Sequence, residues 1–331
     1  MSPGLLARTV RLPYTLVAGP CDTGIVQSSS VEHDDAATVD AALAFYETYA
    51  ARVDEEAGAL RDRRIDLVVG DIPPLAFDVA AALGVPGIAI ANFTWDWIYE
   101  THPGFAERAP EVIETIRRGY RRATLGLELP FGAGFGVFER VEQVPLVARR
   151  PTKTRAVTRA HFGVPAARKA ALLSFGGYGL PSLNLSTVDC LDDWTIVTTD
   201  RTRTAAATAS AIVVSEETFT DDVRYEDLVA AVDVVITKPG YGIIAECISS
   251  DTPMLYTSRG PFREYDLLVS EMPRFLRCRF IGQEDLFGGR WREPLEGLLA
   301  QPAPPETLPV DGAKVVGEIV RDLAELRAHG R

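Results

Sequence analysis

The sequence predicts an α/β protein built from two parallel-sheet domains, and three observations carry that expectation. The chain has 331 residues, about twice the size of an average domain. Its first half contains a strand-helix-strand passage over residues 65–90, and its second half a run of five short apolar strands interleaved with helical or loop material. Alternation of this kind builds doubly wound parallel sheets, with helices on both faces.

Taken in order, Leu43, Tyr46, Ala50, Val53, Ala57 and Leu60 recur in steps of three and four and so share one helix face, with Asp54, Glu55 and Glu56 on the wet side. Residues 65–70 are apolar, β-branched and closed by Gly, as in a buried parallel strand, and Asp71 stands just past the C-terminal end. Pro73 and Pro74 can begin a helix but not continue one; Leu75, Ala76, Val79, Ala80 and Leu83 supply its stripe and Gly84 its stop. Residues 87–90 are the next strand. From 92 to 150 the period weakens into an aromatic segment, a basic helix around 113–122 and a Gly-rich stretch over 131–138. Residues 144–151 mix prolines with charge, which places the interdomain connection there and the domains at 1–148 and 149–331. Strands follow at 170–174, 194–198, 211–215, 233–237 and 253–256. A last helix over 311–327 carries Val315, Val316, Ile319, Val320, Leu323 and Leu326 on one face.

Composition narrows the function. Lys plus Arg total 34 against 46 Asp plus Glu, a net charge of -12, whereas nucleic-acid binding draws on a basic face; nucleic acid is excluded as a partner. Cys21, Cys190, Cys247 and Cys278 form no C-x-x-C pair, which argues against a zinc site or disulfide framework and for a reducing, cytoplasmic setting. No apolar run reaches the roughly 20 residues that cross a bilayer, and no signal-peptide layout opens the chain. A soluble chain is expected, of unspecified oligomeric state.

Two Gly-rich turns carry the chemistry. In the first, Leu172-Leu173-Ser174-Phe175-Gly176-Gly177-Tyr178-Gly179, residues without a Cβ let backbone N–H groups approach an anion; the competing reading is a tight turn that needs positive φ. In the second, a strand runs into Lys238-Pro239-Gly240-Tyr241-Gly242 and then a helix whose N-terminus attracts a diphosphate. Glu246 in that helix can accept both hydroxyl hydrogens of a ribose, or be a solvated surface Glu. Lys238 can neutralise a phosphate, or be a surface charge. On the other half, Asp71 can deprotonate a hydroxyl or accept loop hydrogen bonds, and Asp96, flanked by Trp95 and Trp97, can act as a desolvated base or belong to the core.

The Gly176-Gly177 turn, the Thr237-Lys238-Pro239-Gly240-Tyr241-Gly242 to Glu246 segment and Arg263-Glu264-Tyr265-Asp266 resemble the nucleotide-sugar half of GT-B glycosyltransferases, in particular the peptidoglycan N-acetylglucosaminyltransferase group. Gly70-Asp71-Ile72-Pro73-Pro74-Leu75-Ala76 and Asn92-Phe93-Thr94-Trp95-Asp96-Trp97-Ile98-Tyr99 resemble the glycosyltransferase-like N-terminal region of plant L-arabinokinases. The resemblance spans most of residues 15–325 and implies two Rossmann-like domains facing across a cleft, donor in the second and acceptor in the first. It implies phosphate contacts at Gly176, Gly177, Gly240 and Gly242, ribose contact at Glu246, and donor-sugar contacts at Glu264 and Asp266, at least one of which also reads as a charged helix start. The implied function is transfer of a sugar, with inversion and without metal or cofactor, from a nucleotide-diphosphate sugar to a hydroxyl acceptor. A nucleotide-sugar 2-epimerase and a catalytically silent nucleotide-sugar-binding protein are the alternatives. Such relatives open with a strand ending in a Gly-His-Gly-x-Gly-His type loop, a helix and a second strand. Nothing before Leu12 matches, so the N-terminal sheet is expected to lack that unit, through a shortened gene model or an altered, inactive member. His33, His102, His161 and His329 match no such loop.

Overall fold

The computed structural model of the chain describes residues 6, 9–10, 12–29, 32–176, 179–180, 182–199, 210–260 and 262–329. The first half runs α1 (Asp35–Glu47), α2 (Tyr49–Leu60), β1 (Val68–Gly70), α3 (Pro74–Leu83), β2 (Gly87–Ala91), α4 (Trp95–Glu100), α5 (Phe105–Arg108), α6 (Pro110–Tyr120), β3 (Leu125–Glu128) and β4 (Val141–Gln143). Its strands pair in parallel in the order β1-β2-β3-β4, with Val69 opposite Ile88 and Ile90 opposite Leu127. The helix expected through residues 43–60 divides at Thr48. There the hydroxyl donates to the Phe45 carbonyl and competes with the backbone ladder. Gly84 ends α3 in the left-handed region at φ 65 and returns its N–H to the α3 carbonyls.

The second half runs α7 (Arg155–Phe162), β5 (Lys169–Ser174), β6 (Trp194–Thr198), β7 (Ala211–Val213), α8 (Tyr225–Ala231), β8 (Val234–Thr237), α9 (Tyr241–Ser250), β9 (Met254–Tyr256), α10 (Arg263–Glu271), β10 (Cys278–Phe280), α11 (Gln283–Phe287), α12 (Arg292–Leu299) and α13 (Gly312–His329). The strands pair in parallel in the order β10-β9-β8-β5-β6-β7. Along β5 the side chains alternate: Ala170 and Leu172 pack with Val197 and Val235 on one face, Ala171 and Leu173 with Ile196 and Ile236 on the other. Burial on both faces explains why these strands read as continuous apolar runs.

This strand order reverses between β5 and β8. A parallel sheet leaves a crevice at the carboxyl ends of the two strands flanking such a reversal, because their following connections depart to opposite faces, and ligands bind in it. β10, β3 and β4 are additions to the elements the sequence predicted. The chain then leaves the second sheet: Val147 and Asp311 meet through a short antiparallel bridge, and α13 lays Val315, Val316, Ile319, Val320 and Leu323 against Ile88, Leu125 and Leu127 of the first sheet. Gly312 makes the crossing possible, since a Cβ there would lie 2.1 Å from the Pro145 carbonyl oxygen. Leu326, counted in the predicted stripe, faces solvent.

Candidate active site

The two Gly-rich turns sit on the two strands that flank the reversal. Ser174 ends β5 beside Thr237 at the end of β8, and the Thr237 hydroxyl donates to the Ser174 carbonyl, so the loops leave from one fixed point. Gly176 has φ +70, and a Cβ on it would meet nothing within 4 Å; Gly177 and Tyr178 lie outside the described residues. Gly240 is the N-cap of α9 with extended backbone, and Gly242 is the second helical residue. A Cβ on either would also meet nothing within 4 Å. These glycines answer to no crowding by the protein: they leave open space before a helix N-terminus that has no side-chain cap.

Lys238 stands half-buried at the same end of β8, and it has no carboxylate partner among the described residues. Burial, together with the neighbouring Arg259, lowers its ammonium pKa to about 8. Arg259 is buried, donates to the Pro239 carbonyl at 3.2 Å, lies over the Phe262 ring and pairs with Glu264 at 3.4 Å.

Glu246, on the second turn of α9, is 5% exposed, which removes the reading of a solvated surface Glu. Arg149 donates to its Oε1 and lies 5.9 Å above the Tyr225 ring, whose hydroxyl meets Ser174 Oγ at 2.6 Å. Burial raises the Glu246 pKa, and Arg149 opposes the rise.

Glu264 and Asp266 part company. Glu264 is buried in the first turn of α10, where its Oε1 accepts from Asn92 Nδ2 at 2.9 Å, while Asp266 is exposed. Asn92 follows β2 of the first sheet, so the bond ties the halves together; Arg263 adds a contact to the Trp97 carbonyl and one to Glu100. Burial raises the Glu264 pKa against the lowering effects of Asn92 and Arg259.

The two acceptor-side carboxylates also differ. Asp96 is buried and bound to Arg117 Nε at 3.2 Å, which directs it at α6. Asp71 remains accessible just past β1, although surrounding protein and the Asp22 carboxylate raise its pKa. The next residue, Ile72, has φ 69, a strained conformation for a β-branched side chain, held by the Tyr120 hydroxyl on its carbonyl at 2.9 Å. Asp71 is near enough to α9 for its charge to raise the Tyr241 hydroxyl, after burial. Sequence reasoning missed Asp22, which accepts from Trp95 Nε1 at 3.0 Å, and Arg149, which read as linker charge.

Two parallel sheets, a reversal-point crevice in the second and a C-terminal helix folded back on the first make this a GT-B glycosyltransferase fold. No family model matches the chain. It is 28% identical over 316 residues to L-arabinokinase of Arabidopsis thaliana, covering 92% of this chain and 29% of that protein. It is 27% identical over 233 residues to UDP-N-acetylglucosamine–N-acetylmuramyl-(pentapeptide) pyrophosphoryl-undecaprenol N-acetylglucosamine transferase of Clavibacter michiganensis, covering 65% of this chain and 57% of the relative. The chain thus spans under two thirds of either relative. Among solved structures, the glycotransferase of kitacinnamycin superposes with a TM-score of 0.54 at 19% identity, covering 96% of this chain and 82% of its own. Among the described residues no helix is long and apolar enough to cross a membrane.

Proposed function

We propose that the chain is a glycosyltransferase that moves a sugar from a nucleotide-diphosphate sugar to a hydroxyl acceptor, inverting the anomeric centre without a metal. One observation carries the reading: the uncapped N-terminus of α9, opened by Gly240 and Gly242 and joined by the unpaired Lys238, stands at the sheet's reversal point with the buried Glu246 one turn behind it. That arrangement suits a diphosphate on the amides and a ribose on the carboxylate. The name of the Clavibacter relative, which includes a UDP-sugar and a transfer, supports the same chemistry. We take residues 1–148 as the acceptor half and 149–331 as the donor half. The four free thiols fit a cytoplasmic setting.

In this mechanism Asp71 accepts the acceptor's hydroxyl proton as the oxygen attacks the anomeric carbon from the face opposite the diphosphate. The bond from carbon to the diphosphate oxygen breaks, and the electron pair leaves with the diphosphate. Its new negative charge meets the α9 amides and Lys238, electrostatic stabilisation supplied by groups already in place. Asp71 is the base, not Asp96, because Asp71 is accessible whereas Asp96 is buried and paired with Arg117. Glu264 orients the donor sugar from the junction it shares with Asn92, and Asp266 lies outside that contact. Incubation of the chain with nucleotide-diphosphate sugars and a panel of hydroxyl acceptors tests the reading. Acceptor-dependent release of nucleoside diphosphate and a new glycoside are expected; a C2-epimerised nucleotide sugar formed without acceptor, or no binding of any nucleoside diphosphate, overturns it.

A further inference from the structure

Behind Arg149 stands a second buried carboxylate, which the mechanism above leaves unused. Glu226, in the first turn of α8, is 4% exposed. Its neighbour Asp227 is fully served, accepting from the backbone N–H groups of Thr152 at 2.6 Å, Lys153 at 2.9 Å and Arg224 at 2.9 Å. Glu226 accepts no such backbone hydrogen bonds among the described residues. Its oxygens instead form two long ion pairs, with Arg224 Nη1 at 3.6 Å and Arg149 Nε at 3.9 Å. A carboxylate held by ion pairs this long keeps hydrogen-bond capacity that the N–H donors of a ligand can take up.

Its position says which part of a ligand that is. Arg149 reaches Glu246 with Nη2 and faces Glu226 with Nε, so the two carboxylates stand about one guanidinium apart. Tyr225, which joins the end of β5 through Ser174, lies between Arg224 and Glu226 in the chain and fixes this corner to the same crevice. A nucleoside whose ribose is on Glu246 therefore places its base toward Glu226. The side chain of Arg149 is 45% exposed and can turn outward to admit it.

The bases differ in what they offer a carboxylate. Guanine presents two adjacent donors, the ring N1–H and the exocyclic amino group, which match the two oxygens of one carboxylate. Uracil and thymine present a single N–H between two carbonyls, whose oxygens a carboxylate repels. Adenine and cytosine pair one amino group with a ring acceptor. Resting on the nucleotide-sugar reading above, we infer that Glu226 reads the base and that the donor is a guanosine diphosphate sugar.

Calorimetric titration of the full chain with GDP, IDP, UDP, ADP and dTDP tests this. GDP should bind at least tenfold tighter than UDP, and IDP, which lacks only the 2-amino group, should lose much of that advantage; the IDP comparison needs no variant. Glu226→Gln should weaken GDP at least tenfold and leave UDP unchanged or tighter, with thermal melts confirming the fold. UDP or IDP binding as tightly as GDP, or a folded Glu226→Gln variant that keeps its guanine preference, overturns the inference while the donor-site reading stands. Absence of binding by every nucleoside diphosphate removes both.

Discussion

Replacing Glu246 by Gln keeps the size of the side chain and removes its charge, which isolates the ribose contact. The carboxylate is 5% exposed, so water does little to screen a hydrogen bond to it, whereas its partner Arg149 is 45% exposed. Losing the Arg149 pair should therefore cost at most about 1 kcal/mol of stability, because the guanidinium returns to water. Losing a charged acceptor for the ribose hydroxyls should weaken nucleoside diphosphate binding by about 1.5–3 kcal/mol, or roughly 10- to 150-fold. Titration with GDP and UDP, each beside its 2′-deoxy counterpart, separates ribose recognition from other losses. Wild-type protein should prefer the ribose form, and the Gln variant should lose most of that preference. The pKa of Glu246 lies above the usual carboxylate value, so wild-type affinity should also fall as pH drops through that raised value. Unchanged affinity in a folded Gln variant, or equal binding of ribose and deoxyribose forms by the wild type, would refute the assignment of Glu246.

Three further outcomes follow from the same geometry. Asp71, with its pKa raised by burial and by Asp22, should give a turnover that climbs with pH as the base loses its proton. Asp71→Asn should lower kcat by about 10²–10⁴ while leaving donor affinity within about twofold, as stopped assays and calorimetry would show. Lys238 loses its proton as pH rises through about 8, so nucleoside diphosphate affinity should weaken above that pH, and Lys238→Met should weaken binding and flatten the profile in pH-dependent titrations. Arg259→Met leaves Glu264 buried without its cation and should cost about 3 kcal/mol in urea unfolding. Burial raises the Glu264 pKa, so the folded state holds that proton more tightly than the unfolded chain, and acidification should recover part of the loss.

What the sequence disclosed depends on whether the determinants are local. Residues 170–173 of β5 and 234–236 of β8 are buried and all apolar, so the strands stand out. β3 hides because Gly126 replaces a β-former where a Cβ would lie 3.0 Å from the Phe138 ring, and β4, Val141-Glu142-Gln143, is a half-wet edge. The Lys238, Gly240, Gly242 and Glu246 set was legible because a strand, a turn and a helix start place all four within nine residues. Arg149 and Asn92 were not, since they meet Glu246 and Glu264 across separations of 97 and 172 residues. Asp96 misled for the same reason: its tryptophan flanks are adjacent in sequence, while Arg117, which settles its role, is 21 residues away. The strain at Ile72 was likewise silent, because nothing in Gly70-Asp71-Ile72-Pro73 requires positive φ until the Tyr120 hydroxyl arrives.

A net charge of -12 sits poorly at first with an anionic donor, but the long-range part of that charge is screened beyond roughly 8 Å at physiological salt. What the donor meets is the local arrangement, and that is sorted by side. The second half offers Lys238 and the α9 N-terminus, worth about half a positive charge, while Glu264 balances Arg259 beside them. The first half offers the accessible Asp71, with Asp22 close enough to raise it. In a displacement at the anomeric carbon, negative charge moves onto the diphosphate and a proton moves off the acceptor. Each therefore travels toward the side that stabilises it, cation for the leaving group and carboxylate for the proton. Exchanging the signs of the two sides would oppose both movements at once, so the proposed transfer depends on the division of charge between the halves and not on any single residue.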